Sequence, residues 1–319
     1  MSINATKDFK KINNFDPQNN TNFFMGQKRI KLAAIDIGSN AARIQISAIL
    51  GAPDSPTLKK IEYIRYPLRL GKDVFNYGEI REERKNKYLK LMQCFKLMVE
   101  LHEVDYMMAY ATSASREAHN GPEIIEAIEK ETGILVEVID GKKEAEITDL
   151  ALADFIDDES FIHIDVGGGS TELNIHRNGK KRASKSFQIG SVRVKEKDDP
   201  VWKEIRHWIS HHLNPKYGPI AALGTGGNIN KLFQLATPDV AFTLGRGDLK
   251  ATRDYLNDMS IEDRIHKLKL NEDRADVIVP AADIYLGVMA ICESSKILVP
   301  QVGLKDGMMI QLMQKALKA

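Results

Sequence analysis

Acidic and small residues recur in one arrangement at two places. The segment Ile35-Asp36-Ile37-Gly38-Ser39-Asn40-Ala41-Ala42-Arg43-Ile44-Gln45-Ile46 returns as Ile164-Asp165-Val166-Gly167-Gly168-Gly169-Ser170-Thr171-Glu172-Leu173-Asn174-Ile175. In each copy an apolar run ends on an Asp, and a turn of small residues follows. An alternating run then leads away, the pattern of a half-buried hairpin. Small residues let consecutive backbone N–H groups close on an anion without Cβ clashes. An Asp at the mouth repels a bare phosphate, so the pairing makes sense with a divalent cation or a water between them. Two such turns predict two similar halves that grip a phosphate chain from both sides.

The individual signals differ in strength. Gly38, Ser39 and Asn40 alone fit an ordinary hairpin turn as well as an anion site. Gly167, Gly168 and Gly169, followed by Ser170, are more demanding, because three consecutive glycines cost backbone entropy that a hairpin does not require. Asp165 and Glu172 lie on the two arms of that hairpin and could share one hard cation, Mg²⁺ or another divalent ion, bridging to phosphate oxygens. Asp36 is the equivalent acid of the first hairpin and a further metal or water contact. Gly224, Gly226 and Gly227 follow the apolar run 220–223 and open a helix, which makes an anion site at a helix start. Their spacing is wrong for the dinucleotide fingerprint. Arg116 sits one turn into a helix whose N-cap is Thr112 or Ser113, where it can clamp phosphate or simply salt-bridge at the surface. Glu144 opens another helix, where the helix dipole favours a carboxylate regardless of function, and spacing does not choose it over Glu146. His207 and His211 share a helix face without a third ligand, so they read as solvated.

These residues need a scaffold, and the chain supplies alternating elements for it. Strands are expected at 30–37, 42–50 and 58–67, then a long helix over 81–102. A strand at 104–111, helices at 113–119 and 121–132, a strand at 134–139 and a helix at 142–156 follow. From Phe161 the order restarts, with strands at 161–166, 171–177 and 181–187, a helix at 201–212, a strand at 219–223 and helices through 293. A strand near 297–300 precedes a last helix at 305–318, expected to pack back on the first half. This is an α/β reading with a mixed sheet in each half. Residues 1–27 are Asn-rich and aperiodic and read as a mobile tail.

Composition narrows the partners. The 319 residues suit two domains, and the apolar fraction of 43% is ordinary for a soluble chain. A net charge of +1 gives no global pull toward nucleic acid or an anionic membrane. Neither a signal peptide nor a spanning segment is evident. Cys94 and Cys292 fall in apolar helical stretches and read as buried free thiols of a reducing cytoplasm.

At these residues the chain resembles the exopolyphosphatase/guanosine-pentaphosphate phosphohydrolase family, within the actin, heat-shock-chaperone and sugar-kinase superfamily. The motifs run in order: IDIGSN at 35–40, RLG at 69–71, ATSASREAHN at 111–120, DGKKEA at 140–145, IDVGGGSTEL at 164–173, IGSVR at 189–193, GTGGN at 224–228, DVIVPA at 276–281 and GLKDG at 303–307. The resemblance implies two ribonuclease-H-like domains with a cleft between them, residues 28–143 with 303–319 and residues 144–302. It implies Glu144 as the catalytic glutamate that activates water. Asp165 and Glu172 match magnesium-associated carboxylates, and the two turns and Gly224–Gly227 match phosphate-binding elements. Arg116 matches a phosphate-binding arginine, and Arg43, Arg193 and Arg274 match basic positions.

Implied substrates are inorganic polyphosphate or guanosine pentaphosphate (pppGpp), and the implied assembly is a homodimer. Lys143 stands where many members carry an acid, and Asn228 replaces a hydroxyl residue. The long members' C-terminal helical extension, with its HD-type domain, has no counterpart after Gly307, which shifts the expectation toward shorter polyphosphates or pppGpp. The alternatives are an actin-fold kinase, a polymerising nucleotide-binding scaffold, or a non-catalytic pppGpp sensor.

Overall fold

Alternation along the strands builds both halves of the molecule in the same way. The computed structural model describes residues 29–52, 54–156, 160–213 and 220–318, so the expected tail, residues 1–27, lies outside it. In the first half, β1 (Lys31–Ile37), β2 (Ala42–Leu50) and β3 (Thr57–Tyr66) form an antiparallel meander. Parallel to β1 run β4 (Tyr106–Ala111) and, beyond it, β5 (Val136–Val138), giving the order β3-β2-β1-β4-β5. The second half repeats the plan with β6 (Phe161–Val166), β7 (Thr171–Arg177), β8 (Lys180–Phe187) and β9 (Ala221–Thr225). Two short strands, β10 (Thr243–Gly245) and β11 (Lys296–Leu298), complete the order β10-β11-β9-β6-β7-β8.

Odd and even residues of each sheet face different helices. Ala33, Ile35 and Ile37, with Ala42, Ile44 and Ile46, form one core with Tyr88, Met92 and Phe95 of α2 (Glu82–Leu101) and Ile124 and Ile128 of α4 (Gly121–Thr132). In chain order α1 (Leu70–Tyr77) precedes α2, and α3 (Ser113–Glu117) lies between α2 and α4. Leu32 and Ala34 instead meet Leu304, Met308 and Leu312 of α12 (Leu304–Ala316). In the second sheet Ile162, Ile164, Val166, Leu173 and Ile175 pack with α6 (Pro200–His212) and α11 (Ile278–Ile291). The opposite face lies under α5 (Gly141–Leu152), which contacts β7 and β8. The remaining helices are α7 (Gly227–Ala236), α8 (Arg246–Asn257), α9 (Ile261–His266) and α10 (Glu272–Ala275).

Helices α5 and α12 cross in the middle and join the halves. At the crossing a Cβ on Gly307 would fall 1.9 Å from the Ile147 carbonyl oxygen, so only glycine permits this approach. Ion pairs also span the halves: Arg65 with Asp273, Arg69 with Asp276, and Arg193 with Glu117.

Three expectations need correction. Alternation in β6 and β7 predicts a half-buried hairpin, yet the polar face is covered as well, with His163 and Asn174 both 0% exposed beneath α5. Gly224 and Thr225 belong to β9 rather than to a turn, and a Cβ on Gly224 would press on Ile297. Cys292 is buried, but Cys94 is exposed because it lies off the apolar stripe of α2. Helix α1 and strand β10, both short, come in addition to the expected elements.

Candidate active site

The two repeated turns are built alike and meet. Gly38 N–H closes the first on the Ala41 carbonyl (3.1 Å), and Gly167 N–H closes the second on the Ser170 carbonyl (2.9 Å). Behind the first turn, Gly71 and Arg69 donate N–H groups to the carbonyls of Ser39 and Asn40 (2.8 and 2.9 Å). Behind the second, Ser191 donates to Gly167, and Val192 and Arg193 donate to Gly168 (3.0, 2.8 and 2.9 Å). The RLG and IGSVR segments therefore do the same work: they occupy turn carbonyls from outside. No backbone partner is found among the described residues for the N–H groups of Ser39, Asn40, Gly168 or Gly169, which is the donor set an anion needs. The turns touch across the halves, since a Cβ on Gly168 would lie 2.9 Å from Ser39 Cβ and one on Gly169 would lie 2.2 Å from the Phe75 ring.

Between them lies a cavity of about 190 Å³. Its lining unites Asp36, Gly38, Ser39, Asn40, Arg43, Glu144, Asp165, Gly167, Gly168, Ser170, Gly226, Gly227 and Arg274 from the expected set. Gly226 has φ 110°, a backbone state glycine adopts without strain, and Asp165 Oδ1 would lie 3.2 Å from a Cβ there. Glu172 is directly opposite Asp165 across β6 and β7, just behind the lining. Its Oε1 accepts from Ser186 (2.8 Å). Arg116 is exposed and donates to the Ile139 carbonyl (2.6 Å), within electrostatic reach of Glu144 and Glu172. Beside Glu172 and Arg116, three more expected residues stay out of the cavity lining. Gly169 spaces the two halves, Gly224 packs inside β9, and Arg193 stacks on Phe75 (4.1 Å) while pairing with Glu117.

Charge in the site is unbalanced. Burial raises the Asp165 carboxyl to about 6, with Asp36 adding to it against a hydrogen bond from Thr225. Burial and then Asp165 raise Glu172 to about 7, against hydrogen bonds from Ser170 and Ser186. Glu144 is pushed well above the carboxylate range by burial, then by Glu172, Asp165 and Asp36, with Arg116 opposing. Asp36 alone has an ion-pair partner, Arg43 at 2.8 Å. On the other wall Arg274 is depressed by burial and by the charge of Arg65, and it makes no ion pair among the described residues. Stranded carboxylates on one side and an unpaired guanidinium on the other suit a metal–phosphate ligand.

Comparison with known proteins decides what these turns belong to. The sequence model of the Ppx/GppA phosphatase family matches residues 54–316. The chain belongs to the Ppx/GppA phosphatase family. It is similar to exopolyphosphatase 1 of Mycobacterium tuberculosis, 24% identical over 306 residues covering 88% of each chain. Among solved structures it is similar to a Ppx/GppA family member of Aquifex aeolicus, with 27% identity and a TM-score of 0.69 over 91% of this chain and 99% of that one. An exopolyphosphatase from Cytophaga hutchinsonii matches with 25% identity and a TM-score of 0.75 over 89% and 98%. This Ppx/GppA phosphatase has the two-domain actin and sugar-kinase fold and is a hydrolase of phosphoanhydrides.

Tyr63 and Arg65 also line the cavity of this Ppx/GppA phosphatase and carried no sequence signal, whereas Ser191 and Lys305 line it from within the IGSVR and GLKDG motifs. Arg65 lies beside Arg43 in the β2/β3 register, a relation that only the pairing reveals. His207 and His211 are exposed, 6.5 Å apart ring to ring. Among the described residues no three His, Cys, Asp or Glu side chains gather closely enough to hold a metal by themselves, and no helix is long and apolar enough to cross a membrane. A divalent ion held by one or two carboxylates and completed by substrate oxygens fits this donor set, which is the usual habit of Mg²⁺.

Proposed function

We propose that this protein removes the terminal phosphate of inorganic polyphosphate by attack of a water that Glu144 activates. Support comes first from Glu144 itself. Its carboxyl is half-buried at the start of α5, beside three other acids and facing two turns with free N–H groups. The N–H groups of Ser39, Asn40 and Gly168 and the guanidinium of Arg274 hold the phosphate, as positioned donors do for oxyanions. Asp165 and Glu172, with Asp36 behind its ion pair, would hold Mg²⁺. When bound, that ion supplies positive charge at the phosphate oxygens and favours ionised carboxylates nearby. Glu144 orients the water in line with the anhydride and takes its proton. The phosphorus–water bond forms as the bond to the chain oxygen breaks, and a shortened chain departs.

A second reading, pppGpp to ppGpp, has one observation in its favour. Tyr63 brings an aromatic ring to the cavity edge, half exposed, and gives a guanine base a face to stack on. Phosphate release from purified protein with Mg²⁺, compared across short polyphosphate, long polyphosphate, pppGpp and ATP, tests both. Release fastest from polyphosphate is the expected result. Release from pppGpp alone transfers the assignment to the second reading, and none from any of the four discards both.

A further inference from the structure

Beneath α5 the second sheet carries a row of polar side chains that the reaction does not use directly. Ser184, Asn174 and His163 are paired across β8, β7 and β6. Ser184 Oγ donates to Asn174 Oδ1 (2.6 Å), and Asn174 Nδ2 lies 3.2 Å from His163 Nδ1. His163 Nε2 lies 2.8 Å from Thr225 Oγ1. Thr225 is the parallel-strand neighbour of Asp165, and its hydroxyl is near enough to that carboxylate to hold its pKa down. A chain of hydrogen-bonded side chains thus runs from Ser184 on β8 across β7 and β6 to Thr225 on β9, beside the acid at the cavity.

Counting donors ties the direction of every link to that of the others. The Thr225 hydroxyl has one proton. If that proton goes to Asp165, Thr225 must accept from His163, so the imidazole carries its proton on Nε2. Nδ1 then accepts from the Asn174 amide, and the Asn174 carbonyl oxygen accepts from Ser184. Turning the Asn174 amide over reverses everything: His163 is protonated on Nδ1, Nε2 takes the Thr225 proton, and Asp165 loses its donor. The backbone of Thr225 is held separately, since Tyr285 donates its hydroxyl proton to the Thr225 carbonyl while accepting from Val166 N–H (3.3 Å). The first half has no such chain, because Ala34 and Gln45 stand where His163 and Asn174 stand.

We propose that His163 is a positioning residue: its Nε2–H holds the Thr225 hydroxyl so that this hydroxyl donates to Asp165, fixing one carboxylate oxygen and leaving the other for the cation and phosphate. The part concerning cation and phosphate rests on the phosphatase reading above; the hydrogen-bond chain does not. Outer hydrogen bonds of this kind orient metal-binding groups, and their loss typically costs about 10–100-fold in metal affinity or activity.

Two measurements test it. Histidine-ring ¹H–¹⁵N spectra of the full chain, without substrate or cation, should show His163 as the Nε2–H tautomer, with its ring signals moving in Thr225→Val. An Nδ1–H tautomer overturns the proposal. Magnesium titration of phosphate release should show Thr225→Val and His163→Leu each raising the half-maximal Mg²⁺ concentration about tenfold. The double variant should be no worse than the more damaged single one, and Thr225→Ser should restore the wild-type value. Additive losses, or an unchanged titration in Thr225→Val, sink the positioning role. Absence of phosphate release from wild type would discard the functional reading instead, while the tautomer result would still decide the hydrogen-bond chain.

Discussion

Aligned strand by strand, the two halves present the same row of positions with opposite charge. Across β4, β1, β2 and β3 the row reads Tyr110, Asp36, Arg43, Arg65. Across β9, β6, β7 and β8 it reads Thr225, Asp165, Glu172, Ser186. The Asp is common to both. Its cross-strand partner is an Arg in the first half, 2.8 Å away, and a Glu in the second. The same hairpin plan thus carries two different charge rows, and under the proposed function one would hold the anion and the other the cation. What lies between them must carry both signs, and a metal-bound phosphate chain does.

The comparison can be broken at the group between the rows. Glu144→Gln should keep substrate binding and lower turnover by about 10²-fold or more, the scale of a positioned general base. Near wild-type phosphate release from the folded variant would remove Glu144 from the mechanism. Next in size is the acidic row. Asp165→Asn should raise the Mg²⁺ requirement tenfold or more, about the range for damaged metal sites, with little change in polyphosphate KM at saturating Mg²⁺. An unchanged magnesium titration would place the ion at Asp36. The cationic row should behave in the opposite way: Arg274→Gln should raise KM for polyphosphate about tenfold, a loss of about 1.4 kcal/mol, and leave the Mg²⁺ requirement alone. Equal shifts in both quantities for both variants would dissolve the division of labour.

A separate effect concerns stability. Burial holds His163 neutral, its pKa pushed down to about 3, with His176 and Lys181 adding to this; Ala34 at the equivalent place cannot titrate. Below pH about 6.5 the unfolded chain protonates this imidazole and the folded chain does not, so its contribution is lost as pH falls from there. Asp165 and Glu172, raised by burial, pull the other way. The difference between wild type and His163→Gln isolates the histidine: it should shift against wild type by about 1.4 kcal/mol per pH unit below 6.5. A pH-independent difference in melting would show that His163 is charged in the folded state.

Much of this was written in residue types. Turns of Gly, Ser and Asn after Asp-ended strands announced themselves, because few sequences accept glycine triplets without need. Glu144 and Glu146 looked equal from spacing, and only the tilt of α5 over β7 and β8 separates them, with Glu144 at the cavity and Glu146 exposed. Arg65 was silent because a β-bulge at Ile46/Ser47 shifts β3 against β2, so its place beside Arg43 follows from pairing rather than pattern. Arg193 sits in a motif that suggests the cleft, but Phe75 and Glu117 capture its side chain. Burial of the His163 row could not be read from alternation, which says that a face is polar and not what covers it.

The crossing of α5 and α12 has a mechanical consequence. Gly307 lets the two helices touch backbone to backbone, and each helix is seated on a different sheet. The span between the two charged rows is therefore gauged from behind by a missing methyl group. Any side chain at this position acts as a shim, wedging the halves apart and widening the jaw while every polar group stays chemically intact. In this molecule the aperture of the cleft is a dimension held by packing, which can be altered separately from the charges that line it.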